Sequence, residues 1–85
     1  MTRQEAFKKM QESHAKHEDA IALMRVDNCY ETYDMDATSL HQICGTVLAN
    51  CNDDGITLVS GFPHHSLDIY LPKIVRAGFR VAIYE

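Results

Sequence analysis

Histidines and cysteines are the residues in this sequence with the most chemistry to offer. His14 and His17 stand three apart, a spacing that lets two imidazoles on a helix share a metal ion. No Cys and no further His follows at ligand spacing, so a pair of surface histidines is the simpler reading and no metal site is expected. Cys29, Cys44 or Cys51 could in principle work with His64 or His65 as a thiolate and its base. Nothing in the spacing supports that pairing, and small buried hydrophobes are the better account of the cysteines. Their odd number and the lack of a C-x-x-C spacing predict free thiols in a reducing compartment. For His64-His65, after Pro63, the expectation is one ring packed at a loop and one facing water. There is no G-x-x-x-x-G-K-[ST] loop, no G-x-S-x-G and no H-E-x-x-H. The chain is therefore not expected to be an enzyme, and no cofactor is implied.

Length and charge narrow the classes further. Eighty-five residues make one small domain, 1–85, with a single core. The net charge of −4 argues against a stand-alone nucleic-acid binder, because phosphate contacts supply most non-specific affinity. No apolar run is long enough to span a membrane and no signal-peptide pattern opens at Met1, so a cytoplasmic protein without membrane contact is expected. The chain stops at Glu85, directly after a strand pattern and with no polar tail, which suggests a piece of a larger protein.

The elements that must position these residues are legible in the periodicities. Thr2 with Glu5 three residues on is a capping-box pattern for a helix to about Lys16, with Phe7 and Met10 as its apolar stripe. Ala20 to Val26 reads as a nearly continuous apolar strand. Asp27-Asn28 is turn chemistry, and Cys29 to Tyr33 reads as a second strand in a hairpin with the first. Strand alternation sets Tyr30 on the opposite face from Cys29 and Glu31, as a core residue. A second helix starts at Asp34 or Asp36, with Leu40, Ile43 and Cys44 on its buried side. Thr46 to Ala49 reads as a short third strand, and Asn50 to Gly55 as a polar loop at the tip of another hairpin.

The stretch from Ile56 onward is the clearest. Ile56 to Val59 reads as a buried strand, broken at Gly61-Phe62-Pro63. Leu67, Tyr70, Leu71, Ile74 and Val75 share one helical face, and Gly78 stands where a left-handed cap is wanted. Pro72 conflicts with that helix, at a cost of roughly 3 kcal/mol in a regular interior. Either the first turn is loose and regular helix begins near Pro72, or the helix is kinked there. Phe79, Val81 and Ile83 then alternate as the buried face of a last strand. Strand, helix, strand predicts a right-handed parallel crossover. The whole predicts an α+β domain: about five strands in a mixed sheet with about three flanking helices.

Two stretches together carry a resemblance. Met24-Arg25-Val26-Asp27-Asn28-Cys29-Tyr30-Glu31-Thr32-Tyr33 resembles the F-R-M-G-D-F-Y-E-L-F segment of the MutS mismatch-repair proteins. Ser60-Gly61-Phe62-Pro63-His64-His65-Ser66, with Tyr70-Leu71, Gly78 and Val81-Ala82-Ile83-Tyr84-Glu85, resembles that family's A-G-x-P-x-H-A…Y-L…G…V-A-I-C-E. The resemblance covers nearly the whole chain and is to the N-terminal, mismatch-reading domain alone. It implies a mixed sheet flanked by helices, and a parent protein whose ATPase activity lies in other domains.

It also implies a site. In the family a Phe wedges into the duplex beside a mispaired base and a Glu two residues on bonds that base; a mismatch is cheaper to unstack and kink than a paired step. The Glu position is Glu31 and the wedge position is Cys29, beside Asn28 in the turn. Cys has no π face to stack on a base, where a ring is worth about 1–3 kcal/mol. Asp27-Asn28 replaces Gly-Asp, and Asn50, Asn52, Asp53 and Asp54 stand where the family often carries Lys-Arg. Lys73, Arg76 and Arg80 could supply a weak backbone-contact patch, or be ordinary solvated surface. The resemblance thus implies a double-stranded DNA-binding module, weak in isolation, its other partners being domains of a parent protein. A protein-interaction module that kept the fold and lost the DNA contacts is the alternative.

Overall fold

The computed structural model describes residues 1–53 and 55–85. In chain order the elements are α1 (Arg3–Lys16), β1 (Ala20–Val26), β2 (Cys29–Tyr33), α2 (Asp34–Cys44), β3 (Leu48–Asp53), β4 (Ile56–Pro63), α3 (Leu67–Arg76) and β5 (Arg80–Tyr84). The strands lie side by side as β3-β4-β2-β1-β5. β1 pairs with β2 antiparallel, β2 with β4 and β4 with β3 antiparallel, and β1 with β5 parallel. The expected α+β fold with a mixed sheet is therefore the one found.

β1 is apolar and buried from Ala20 to Met24 because both of its faces are covered there. Ala22 and Met24 pack with Ala6 and Met10 of α1 and with Tyr33. Ile21 and Leu23 pack on the other face with Tyr30, Phe62, Leu40 of α2 and Ile74 of α3. Leu23, Met24, Leu40 and Ile74 are wholly buried, each worth roughly 1.5–3 kcal/mol relative to an exposed side chain. Thr2 and Glu5 form the capping box foreseen for α1: Thr2 Oγ1 accepts from the Glu5 amide and the Glu5 carboxylate from the Thr2 amide. Gly78, at φ 93°, closes α3 as foreseen, with its own amide bonded to the Val75 carbonyl and the Phe79 amide to that of Ile74.

Several expectations need correction. β4 is the forward partner of the crossover, but it is not adjacent to β5; β2 and β1 lie between them. Gly61 does not break β4, which runs straight through to Pro63. Its lack of a side chain lets β2 approach closely, and Pro63 comes last, where a missing amide is best tolerated. The third strand begins at Leu48 rather than Thr46 and continues through Asn50 and Asn52 to Asp53. Asn50 and Asn52 face solvent from an edge strand while Cys51 between them is buried, so the polar run is a one-sided strand and not a loop. Thr46 is buried before the strand begins, its hydroxyl 2.7 Å from that of Ser60. Asp54, counted with that acidic loop, lies outside the described residues.

Of the two alternatives for Pro72, a regular helix beginning only near Pro72 is not what is found. A single 3-10 turn over His64–Ser66 leads into α3, which is helical from Leu67 with Pro72 inside it. Val75 stands 55% exposed, off the face shared by Leu67, Tyr70 and Ile74. Of the expected buried trio only Val81 packs inward; Phe79 precedes β5 and Ile83 lies on it, an edge strand that β1 alone flanks, and both are exposed.

α2 starts at Asp34, which takes a left-handed backbone of φ 54°. Its Oδ1 accepts from the amides of Thr57 (2.9 Å) and Leu58 (3.1 Å) at the start of β4. Asp36 is not a cap: its Oδ2 accepts from the Ala22 amide at 3.1 Å and lies 2.7 Å from His14 Nε2. Asp34→Ala removes the acceptor for two amides and leaves a strained residue without its compensation. The expected loss is about 2–3 kcal/mol, read as a lower urea midpoint at unchanged slope, with Asp34→Asn losing less.

Candidate functional site

The β1–β2 hairpin ends in a two-residue turn, with Val26 paired to Cys29 across it. Asp27 adopts φ 53°, the left-handed region that Gly enters freely and Asp tolerates better than most residues. That accommodates Asp-Asn at a place where the resemblance has Gly-Asp. Asp27 and Asn28 are exposed and Cys29 is half-buried. The turn is braced from β4: Cys29 pairs with Pro63, and the Asn28 carbonyl accepts from the His64 amide at 2.9 Å.

Cys29 and Glu31 face the α1 side of the sheet, with Val26 and Met24 opposite them in the register. There they line an open cleft of about 600 Å³ with Met1, Thr2, Arg3, Glu5, Val26 and Asp27. Tyr30 points the other way, as expected, and is 4% exposed in the core. Its hydroxyl donates to Glu85 at 2.7 Å, which holds that proton more firmly than usual.

Glu31 is not the free solvated carboxylate that strand position alone suggests. Arg3 grips it with a two-pronged fork, Nε to Oε1 at 3.0 Å and Nη2 to Oε2 at 2.8 Å. The Tyr33 hydroxyl donates to Oε1 at 3.0 Å. The bond to Glu31 raises the Arg3 pKa further above its already high value, so this cation is permanent. Burial, with the neighbouring Glu31 charge, pushes the Tyr33 hydroxyl well up, so it remains a donor. Arg3 Nη1 also stands 3.7 Å from Asp53 Oδ2.

The five residues singled out in the sequence fall into two groups. Asn28, Cys29 and Glu31 come together at one end of the hairpin. Lys73 and Arg76 are exposed on α3, which packs on the opposite face of the sheet, and Lys73 Nζ stands 5.5 Å from the Tyr70 ring centre. Arg80 is exposed on β5, its nearest carboxylate Asp19 at 3.7 Å. The sequence does not show Arg3 as a partner of Glu31, because 28 residues separate them and leave no local periodicity to read; Tyr33 stands two residues on, on the same strand face, where alternation could have found it. No group of three or more His, Cys, Asp or Glu that could hold a metal ion occurs among the described residues. His14 faces Asp36 instead of sharing a ligand with His17. Cys29, Cys44 and Cys51 are free, and only Cys51 is fully buried. Among the described residues no helix is long and apolar enough to cross a membrane.

Comparison with known proteins decides the family. The model of MutS domain I matches residues 4–85. The chain belongs to the MutS domain I family. It is similar to the DNA mismatch repair protein MutS of Bacteroides thetaiotaomicron, 51% identical over 73 residues that make up 84% of this chain and 8% of that protein. The MutS of Christiangramia forsetii is 52% identical over 71 residues, 82% of this chain and 8% of its own length. That of Flavobacterium johnsoniae is 45% identical over 81 residues, 93% of this chain and 9% of its own. The chain thus spans less than a tenth of the relatives it matches. The β1–β2 hairpin lies within the matched residues.

Proposed function

We propose that this chain is a duplex-DNA contact module of a larger mismatch-repair protein, touching DNA with Asn28, Cys29 and Glu31. One observation carries the reading: the family match spans a hairpin, braced from β4, that brings these three residues together with Asn28 exposed and Cys29 half-buried. Lys73 and Arg76, on the far side of the sheet, add long-range attraction for phosphate rather than contact at that tip. Binding by the isolated domain is weak, because the net charge is −4 and the cations beside the tip are already engaged, Arg25 with the Asp27 carbonyl and Glu85 and Arg3 with Glu31. Discrimination is slight, because a thiol stands at the wedge position.

A fluorescence anisotropy titration at low salt tests this with matched and G·T-mismatched duplexes. The expected dissociation constants are about 10⁻⁴–10⁻⁶ M and nearly equal for the two. Tight mismatch preference overturns the assessment of Cys29, and no binding to either duplex overturns the reading.

A second reading, a surface for a protein partner, is favoured by a specific feature. Val47, Ala49, Val59, Phe62 and Pro63 line an apolar groove of about 290 Å³ beside Glu31, and Val47 is 79% exposed. The residues around the hairpin cleft include Glu5, Asp27 and Glu31 against Arg3, so the rim is acidic and apolar. Duplex binding at the tip separates the two readings.

A further inference from the structure

We propose that Arg3 is a lock on Glu31, a specificity-determining residue that keeps the carboxylate from accepting a hydrogen bond from a base until the guanidinium is displaced. The inference rests on the duplex-contact reading above and adds the control of that same site. The geometry has three parts. Arg3 and Tyr33 together place three donors on the two oxygens of Glu31, at 2.8–3.0 Å. Little acceptor capacity is left for an incoming base, and a charge-assisted fork is among the harder hydrogen-bonded pairs to break.

Glu31 is also the more enclosed partner. Its side chain is 15% exposed against 34% for Arg3, so the cation, rather than the carboxylate, is the group free to leave. Finally, there is somewhere for it to go. Arg3 Nη1 lies 3.7 Å from Asp53 Oδ2 and 3.6 Å from Cys51 Sγ, so rotation toward β3 keeps a countercharge. The backbone need not move, because Arg3 is the first residue of α1 and the Thr2–Glu5 capping box pins that end of the helix. Duplex phosphate competes for the same guanidinium, so an approaching backbone both draws Arg3 off and uncovers Glu31.

The test compares the wild type with Arg3→Gln, Arg3→Lys and the Arg3→Gln/Glu31→Leu double variant, whose residue 31 has no acceptor. Each is titrated with matched and G·T-mismatched duplex at one low salt concentration. Arg3→Gln should raise the mismatch-to-match preference about fivefold over the wild type, while matched affinity falls with the lost charge. The double variant should return the preference to the wild-type value. Arg3→Lys keeps the charge without the fork and should fall between, so it carries the test if Arg3→Gln does not fold. Unchanged preference in variants that still bind both duplexes overturns the lock and leaves the contact reading standing. Absence of binding by every protein, wild type included, overturns both.

Discussion

Cys29→Phe should convert a nearly indifferent duplex binder into one that prefers a mismatch by about tenfold. The increment follows from one aromatic ring stacked on a base, about 1–3 kcal/mol, realised only where the step is already easy to open. The structure has room for the ring. Cys29 is half-buried at the mouth of the 600 Å³ cleft, flanked by Val26 and Asp27 rather than enclosed in the core. The brace from Pro63 and His64 is made by backbone groups, so the substitution leaves it in place. Folding stability should therefore change by less than about 1 kcal/mol. Anisotropy titrations with paired duplexes measure the preference, and a Cys29→Leu control separates stacking from added apolar bulk. If Leu gains as much as Phe, stacking is not the source.

Gly61→Ala should be the most damaging single-methyl change in the sheet. Gly61 pairs with Glu31 at the centre of the β2–β4 ladder. A Cβ placed there runs into the Tyr30 carbonyl oxygen and stands 3.3 Å from the Glu31 Cα. Both obstacles are backbone, so no side chain can rotate out of the way. Relief requires the two central strands to separate, which loosens Phe62 and Tyr30 on one face and displaces Glu31 from Arg3 on the other. The expected cost is about 3 kcal/mol, or a melting temperature lower by roughly 12–24 °C for a domain of this size. Thermal unfolding followed by circular dichroism measures it. A change of under about 3 °C means that β2 and β4 can part without cost, contrary to the packing described.

Gly61 also illustrates where sequence reading succeeds and fails. As a letter between Ser60 and Phe62 it signals a break, yet it serves a close approach that only the paired strand reveals. The elements with strong periodicity were legible for physical reasons. A strand segment buried on both faces must be apolar, as β1 is from Ala20 to Met24, and a helix over a sheet must carry a stripe, as α3 does with Leu67, Tyr70 and Ile74. Edge strands escape this logic. β3 shows water the outward side chains of Asn50 and Asn52, and β5 leaves Ile83 partly exposed, so neither shows a full pattern.

The site divides the same way. The Asp27-Asn28 turn and the opposed faces of Tyr30 and Glu31 follow from local rules of turn chemistry and strand alternation. The grip of Arg3 on Glu31 does not, because it joins a helix start to a strand 28 residues away and depends on how α1 crosses the sheet. Asp34 is a similar case: its carboxylate serves the amides of Thr57 and Leu58, which the chain brings alongside only after two more elements have formed.

The central claim is that the hairpin tip is where this domain meets DNA, and amide chemical-shift mapping during a duplex titration tests it most directly. The account predicts that the largest shifts fall on Asn28, Cys29 and Glu31, with His64 following through its bond to the Asn28 carbonyl. Shifts centred instead on Val47, Ala49 and Val59, or on Lys73 and Arg76 with the tip silent, would contradict it.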